Sequence, residues 1–237
     1  MIVLGLDTAT PATVVGLLDD ARVGGPDCAE RRHEPAAGER PGHAAQLLAL
    51  AAELLGAAGL RFADVDRIAV GLGPGTFTGL RIGVATARAL AQGSGAELVG
   101  VSTLRALAIA AEPAAPAGHG VLAVIDARRG EAFAAGWRGG EAVLEQAALA
   151  PAALAERVAA EGGAWLAVGD GALRFRADLE DAGCRVPPDD VAQHRVSARA
   201  ICRLGRHAPR AVRDLVVPDY LRLPDAVLAR HQPTRLT

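Results

Sequence analysis

The stretch GLGPGTFTGLRIGVATARALA, residues 71–91, joins a glycine-rich turn to a long helix of small residues. Such a turn is typical of phosphate binding, because the N–H groups at a helix N-terminus attract anions. A Walker loop, however, needs a lysine, and every basic residue of this chain is arginine. The dinucleotide fingerprint G-x-G-x-x-G meets Thr76 or Thr78 where its last glycine belongs. The stretch therefore matches neither of these two phosphate-binding motifs.

The helix that follows the turn is apolar or small over most of its circumference. Phe77, Leu80 and Val84 form one stripe, and a helix predicted over residues 43–55 likewise carries leucines on two stripes. The chain's own sheet covers one such face, so we expect the second to dock a partner, with Gly79 and Gly83 allowing close approach. The residues assigned to this interface are His43, Leu47, Leu50, Leu54, Thr76, Phe77, Leu80, Arg81, Val84 and Arg88. The alternative is that both helices are central in a three-layer domain.

Composition limits the classes of function. At 237 residues the chain can form one large or two modest domains, and with 3% aromatic residues its core must be built from Ala, Leu and Val. A net charge of -2 argues against a protein that coats nucleic acid by itself, while leaving a local RNA contact open. The absence of lysine removes Schiff-base and lysine general-base chemistry.

The cysteines and the N-terminus indicate a cytoplasmic protein. Cys28, Cys184 and Cys202 are odd in number and form no C-x-x-C pair, which favours reduced core thiols over disulfides or a zinc site. The N-terminal residues lack a basic leader, and we find no apolar run long enough to span a membrane. We therefore expect a cytoplasmic location and no membrane association.

The order of elements predicts an α/β protein of two related halves. Strands at residues 2–6 and 13–18 flank a polar turn at Asp7, and residues 122–137 repeat this plan around Asp126. We divide the chain into residues 1–111 and 112–237, and a C-terminal helix near 197–213 is a candidate to pack back on the first half. The arrangement resembles the two-lobed actin, sugar-kinase and Hsp70 (ASKHA) fold, in which each half is a mixed sheet flanked by helices. In that superfamily an aspartate at each of the two turns contacts nucleotide phosphate.

Several candidate residues have both a functional and a structural interpretation. Asp7, Thr8 and Thr10 form a vestigial phosphate turn, but Ala9 stands where a D-x-G-[T/S] turn has glycine, which favours a plain hairpin. His43 is expected to cap its helix or to contact a partner. The GDG at 169–171 resembles an adenosine loop, and an ordinary turn explains it equally well. The arginine stripe over residues 199–213 predicts a solvated basic face, with an RNA or acidic-partner contact as the alternative.

Several motifs together resemble one bacterial family. LGLDTATPATVVGL, HAAQLL, the stretch at 71–91, GVSTL, VIDARRGEAF and VPDYLR occur in the order and spacing of the TsaB (YeaZ) family. The resemblance implies a role in forming N6-threonylcarbamoyladenosine in tRNAs that read codons beginning with A. It also implies pairing with a catalytic TsaD-like paralogue, recruitment of a TsaE-like ATPase, possible contact with tRNA through the complex, and a homodimer when the chain is alone.

A comparison with the TsaD-like paralogue indicates a subunit without its own catalytic site. Those proteins carry a His-x-x-x-His metal pair, and here Thr103 and Leu107 occupy the two positions. We therefore expect no metal, no cofactor and no catalytic residue in this chain, with ATP, magnesium and the metal held by partner subunits. The alternative is an ASKHA-type nucleotide-binding enzyme or a metallopeptidase-like protein.

Overall fold

The computed structural model describes residues 1–20, 28–36 and 38–221. Arg222 of the VPDYLR motif and the rest of the predicted second half up to residue 237 lie outside these ranges. Within them, no helix combines the length and the apolar composition needed to cross a membrane.

Two five-stranded sheets have the same topology. In the first sheet the order is β3-β2-β1-β4-β5 and in the second it is β8-β7-β6-β9-β10, with three antiparallel strands followed by two parallel ones in each. The strands are β1 (Ile2–Asp7), β2 (Thr13–Asp19), β3 (Cys28–His33), β4 (Arg67–Gly71), β5 (Glu97–Val101), β6 (Gly120–Arg128), β7 (Glu131–Arg138), β8 (Glu141–Leu149), β9 (Trp165–Val168) and β10 (Cys184–Arg185). The sequence echo between the two hairpins therefore reflects a shared plan.

Helices cover the faces of both sheets. The α-helices are α1 (His43–Ala58), α2 (Phe77–Ser94), α3 (Thr103–Ala111), α4 (Pro151–Glu161), α5 (Asp170–Arg174), α6 (Arg176–Asp181) and α7 (Ala198–His207), with short 3-10 turns at Phe62–Asp64, Glu112–Ala114, Ala192–His194 and Arg213–Leu215. Helices α1 and α2 pack on one face of the first sheet and α7 on the other, while α3 contacts the second sheet. Helix α4 covers the outer face of the second sheet.

Local sequence explains where these elements begin. Strand β1 is buried from Val3 to Asp7, as expected for a near-continuous apolar strand with helices on both faces. Ser102 caps α3 as the sequence predicts, since its hydroxyl accepts a hydrogen bond from the Arg105 N–H at 3.2 Å. Helix α1 ends at Ala58 and is followed by Gly59 in the left-handed conformation, with φ of 70°.

Helix α7 closes the first half from the far end of the chain. It lies close to the sheet because Gly5 and Gly16 carry no side chain; a Cβ on Gly16 would stand 2.7 Å from the Ala198 carbonyl oxygen. The helix ends at His207, so Arg210 and Arg213 do not extend its basic face. The boundary predicted between residues 111 and 112 stays a prediction, although β5 and β6 lie on either side of it.

Candidate functional site

Asp7, the aspartate of the first hairpin turn, hydrogen-bonds to groups of the chain itself. The Asp7 carboxylate accepts hydrogen bonds from the Ala9 N–H at 2.8 Å and from the Thr103 hydroxyl at 2.7 Å, and none of the residue is exposed. Burial raises the pKa of Asp7 to about 6, and these two hydrogen bonds oppose the shift. Gly71 lies so close that a Cβ there would be 1.8 Å from an Asp7 oxygen. The carboxylate is therefore closed to solvent, and its two oxygens accept hydrogen bonds from the chain itself.

Glycines in the stretch at residues 71–91 let the β1–β2 turn pack closely against it. The Thr8 hydroxyl donates to the Gly79 carbonyl at 2.7 Å, which ties the β1–β2 turn to the first turn of α2. A Cβ on Gly79 would be 2.0 Å from the Thr8 carbonyl oxygen, and one on Gly83 would be 2.3 Å from the Thr8 hydroxyl oxygen. Gly75 is in similar contact with Ala9. The glycines thus admit the chain's own turn, which corrects the expectation that Gly79 and Gly83 open α2 to another helix.

Thr103 and Leu107, the two positions expected to match the metal ligands of TsaD-like proteins, make internal contacts. Thr103 donates to Asp7 and accepts a hydrogen bond from the Gly73 N–H at 3.2 Å. Leu107 is completely buried in the cluster between α3 and the second sheet. The Thr103–Asp7 hydrogen bond was not anticipated, since no local spacing links residues so far apart in the chain.

Asp126, the aspartate of the second hairpin turn, is also bound by groups of the chain itself. The Asp126 carboxylate accepts from the Arg128 N–H at 2.9 Å and from the Arg174 guanidinium at 2.8 Å. Asp170, at the start of α5, accepts from the Asp126 N–H at 3.0 Å, and burial raises the pKa of Asp170. The carboxylates of Asp7 and Asp126 therefore both hydrogen-bond to other groups of the chain itself.

The GDG at residues 169–171 joins the end of β9 to the first residues of α5. Gly169 has φ of 113° and its N–H donates to the buried His194 ring at 3.2 Å. A cleft of about 250 Å³ separates the β1–β2 turn from this part of the second half, and its lining includes Thr10, Arg32, Asp170 and His194. That volume is below the roughly 300–1,000 Å³ usual for small-molecule pockets.

His43 has a structural role that the sequence did not reveal. Its Nδ1 lies 2.8 Å from the Thr13 hydroxyl, and 3% of the residue is exposed. Burial, with a contribution from His33, lowers the pKa of His43. It makes no helix-capping bond and presents no surface, which corrects both expectations for this residue. Across the described ranges, no group of three or more His, Cys, Asp or Glu side chains could hold a metal ion.

Half of the residues assigned to the partner interface are buried inside the chain itself. Leu47 and Leu54 of α1, and Leu80 and Val84 of α2, are at most 4% exposed. Leu47, Leu54 and Val84 pack in the core cluster on the first sheet, and the Leu80 side chain lies beside Gly73. Together with His43 they cannot contact a partner in this fold, so the assignment of these five residues is corrected. Leu50 and Thr76 are half-buried.

Three further interface residues contact the chain's own C-terminal segment, which we call the strap (residues 212–221). The Arg88 guanidinium donates to the carbonyl oxygens of Arg213 and Asp214, at 3.2 and 2.6 Å. Arg81 donates to the Tyr220 hydroxyl at 3.1 Å, and the Tyr220 ring lies 5.0 Å from that of Phe77. The strap therefore flanks α2 on the side of Phe77, Arg81 and Arg88.

The outer faces of α1 and α2 are exposed and consist mainly of small or uncharged side chains, with Glu53 and Arg81 exposed on the same two helices. On α1 this face consists of Ala45, Leu48, Ala49, Ala52 and Gly56, of which Leu48 is 48% exposed. On α2 it consists of Thr78, Ala85, Ala89 and Gln92. Of the residues assigned to the interface, Arg81 is exposed, and the other exposed side chains of these helices were not assigned to it. Docking of a partner on this side of the two helices stays a prediction.

The fold and the closed turns define the class. Two lobes with one topology, each opening with an aspartate-bearing hairpin, place the chain in the two-lobed ASKHA-like class, as predicted. A ROK hexokinase from Thermus thermophilus has this fold, with a TM-score of 0.51 and 16% identity over 86% of this chain and 99% of that one, a likeness that shows the fold alone.

Sequence comparison identifies the family within that class. The family model described as TsaD, tRNA N6-adenosine threonylcarbamoyltransferase, matches residues 36–164. The Escherichia coli tRNA threonylcarbamoyladenosine biosynthesis protein TsaB is 36% identical over 179 residues, which cover 72% of each chain. YeaZ from Pseudomonas aeruginosa superposes with a TM-score of 0.73 and 29% identity, over 93% of this chain and 99% of that one. The chain belongs to the TsaB (YeaZ) family.

Proposed function

We propose that this chain is a non-catalytic scaffold subunit in the formation of N6-threonylcarbamoyladenosine in tRNAs that read codons beginning with A. The observation that carries the proposal is the closed turn: the buried Asp7 carboxylate accepts from the Ala9 N–H and the Thr103 hydroxyl, and the Thr8 hydroxyl donates to the Gly79 carbonyl. Family membership supplies the pathway, since the E. coli relative bears that name. The alternative of a nucleotide-binding enzyme needs an open turn at Asp7.

The scaffold acts by pairing with a TsaD-like catalytic subunit through the outer faces of α1 and α2, and the pair helps recruit a TsaE-like ATPase. Small side chains on both helices support this proposal, because they let a second helix pair approach closely. The transferase family model covers both helices, so the partner carries equivalent elements. Paired homologous surfaces are common in oligomers, and the same face accounts for a homodimer when the chain is alone.

Reconstitution with purified components tests the role. We expect the tRNA to gain threonylcarbamoyladenosine, measured by mass spectrometry of its nucleosides, only when this chain accompanies the transferase, the ATPase and threonylcarbamoyl-AMP. The chain alone should neither modify tRNA nor hydrolyse ATP. Tight ATP or zinc binding to the isolated chain in calorimetry would instead favour the enzyme alternative.

The docking face is tested by one change on α1. Ala49→Glu places a charge on the exposed face, so it should prevent pairing with the transferase without unfolding the chain. Ala153→Glu makes the same change at an exposed position of α4 and serves as the matched control. Leu80→Asp is unsuitable, because a charge at this buried position destabilises the fold itself. Unchanged pairing of Ala49→Glu in size-exclusion chromatography would contradict the proposed face.

A further inference from the structure

Cys28 and Cys202 lie in the same core cluster, between the first sheet and α7. Cys28 is the first residue of β3, and Cys202 is in the middle of α7. Both are free thiols, and neither is more than 2% exposed. Cys184, the third cysteine, lies in the cluster on the outer face of the second sheet. Two thiols from distant parts of the chain therefore share one region of the core.

Strand geometry directs Cys28 towards α7. Side chains alternate along a strand, so Cys28 and Glu30 of β3 point to the same face of the sheet. The Glu30 carboxylate accepts hydrogen bonds from the Ser197 hydroxyl at 3.0 Å and from the Arg199 N–H at 3.1 Å, at the start of α7. The face of β3 that carries Cys28 is therefore the face that α7 covers.

A glycine in β1 lets the Cys202 sulfur reach the same part of the sheet. A Cβ on Gly5 would stand 2.7 Å from the Cys202 Sγ, so the sulfur occupies the space that a side chain there would need. The Cys202 thiol donates to the Val3 carbonyl at 3.7 Å. Val3 pairs with Leu18, and Leu18 pairs with Cys28, so the sulfur lies against the cross-strand row to which Cys28 belongs. In this arrangement the two thiols are hydrogen-bonded to each other.

The surroundings of the pair make Cys28 the more reactive thiol. The hydrogen bond from Cys202 lowers the pKa of Cys28, and the charges of Arg199 and Arg203 act in the same direction, against burial and Glu30. Burial raises the pKa of Cys202. The thiolate is the form that attacks an oxidant, so Cys28 reacts first. Strand β3 ends the strand order of its sheet, and local opening at such an edge gives a small oxidant a route to the sulfur.

We propose that Cys28 and Cys202 form a reversible disulfide under oxidising conditions, and that this bond fastens α7 to the edge strand of the first sheet. Hydrogen peroxide is an oxidant of the required class. The Cys28 thiolate attacks one peroxide oxygen, the O–O bond breaks, and the leaving hydroxide takes up a proton to give water and a sulfenic acid. The Cys202 thiol then attacks the sulfenic sulfur and loses its proton, and the S–S bond forms as a second water leaves. A dithiol reductant reverses the reaction by exchange.

Peroxide treatment of the full chain, followed by peptide mapping, tests the site. The remaining thiols are alkylated under denaturing conditions, and mass spectrometry should find the peptides of Cys28 and Cys202 linked, with the link lost on reduction by dithiothreitol. Cys184 is the internal control, because it is 5% exposed and burial raises its pKa to about 11, so it should be recovered alkylated. Recovery of Cys28 and Cys202 as alkylated thiols or as sulfinic acids, without the linked peptide, would overturn the proposal.

Serine variants test the fastening of α7. Oxidation should raise the melting temperature of the unaltered chain and of Cys184→Ser by about 5 °C or more, because a link between distant residues restricts the unfolded chain. Cys28→Ser and Cys202→Ser should show no such rise. Each variant is compared with its own reduced form, so the cost of the serine itself cancels. An oxidised chain that melts at or below the temperature of its reduced form, or a link that involves Cys184 or a second chain, would refute the proposed bond.

Discussion

The buried Asp7 carboxylate predicts an unusual dependence of stability on pH. Its pKa is raised from 3.8 to about 6 by burial, so the folded state holds this proton more tightly than the unfolded state does. The stabilisation that follows is present at low pH and is lost as pH rises through about 6. Replacing the carboxyl by the isosteric amide, Asp7→Asn, removes this proton from both states.

The size of the effect follows from the pKa. A rise from 3.8 to about 6 corresponds to about 3 kcal/mol of ionisation cost in the fold. Between pH 4.5 and 7.5, chosen to avoid acid unfolding, about 2 kcal/mol of this change should be seen. The free energy of unfolding of Asp7→Asn, minus that of the unaltered chain, should therefore increase by about 2 kcal/mol over this range. Protonation of the buried His43, whose pKa is lowered, acts in the opposite direction but cancels in this difference.

Urea unfolding followed by tryptophan fluorescence and circular dichroism at several pH values measures this difference. Asp64→Asn is an opposite-sign control, because the Arg61 guanidinium lowers the pKa of Asp64 and its contribution is lost on acidification. A difference for Asp7→Asn that is flat with pH, or that decreases as pH rises, would refute the closed-turn argument. An open, solvated phosphate turn would give that flat result.

Three further substitutions test the contacts of Asp7 and Thr8 and the burial of Leu107. Thr103→Val removes the hydroxyl that donates to Asp7 and should cost about 1–3 kcal/mol at pH 7.5 in urea unfolding, whereas an unchanged midpoint would mean the bond is unimportant. Gly83→Ala should destabilise by about 1–3 kcal/mol because its Cβ meets the Thr8 hydroxyl, and in a Thr8→Ala background the cost should disappear; equal costs in both backgrounds would exclude this clash. Leu107→Ala should cost about 2–5 kcal/mol, as expected for a core residue, and a loss well below that would place Leu107 outside the core.

Much of the architecture follows from local sequence signals. The polar turns after residues 6 and 125 predict the two hairpins, and Ser102 predicts the start of α3 through its cap. These features depend on a few neighbouring residues, so a single sequence suffices. The family was recognised for a related reason: its motifs are contiguous and their order is visible without a structure.

The orientation of α1 and α2 was predicted less well because a helical wheel gives stripes but no direction. Leu80 and Val84 lie on one stripe and Ala85 and Ala89 on another, and only the position of the sheet decides which stripe faces inward. The pattern predicts that the larger side chains contact a partner, whereas the fold buries them and leaves the small ones outside. Burying large aliphatic side chains removes more apolar surface from water than burying small ones, so the large side chains pack in the chain's own core.

The closure of the phosphate turn depends on contacts between distant parts of the chain. Ala9 in place of glycine is a local signal that the turn does not hold phosphate, but the stronger reason is the hydrogen bond between Asp7 and Thr103. Thr103 stands where the paralogue is expected to have its first metal-binding histidine. A threonine at this position offers no imidazole ligand to a metal, and its hydroxyl donates a hydrogen bond to the buried Asp7 carboxylate. Restoring histidine there would leave Asp7 without its hydroxyl partner, so Thr103→His alone should destabilise the fold without creating a metal site, because Leu107 still occupies the second ligand position.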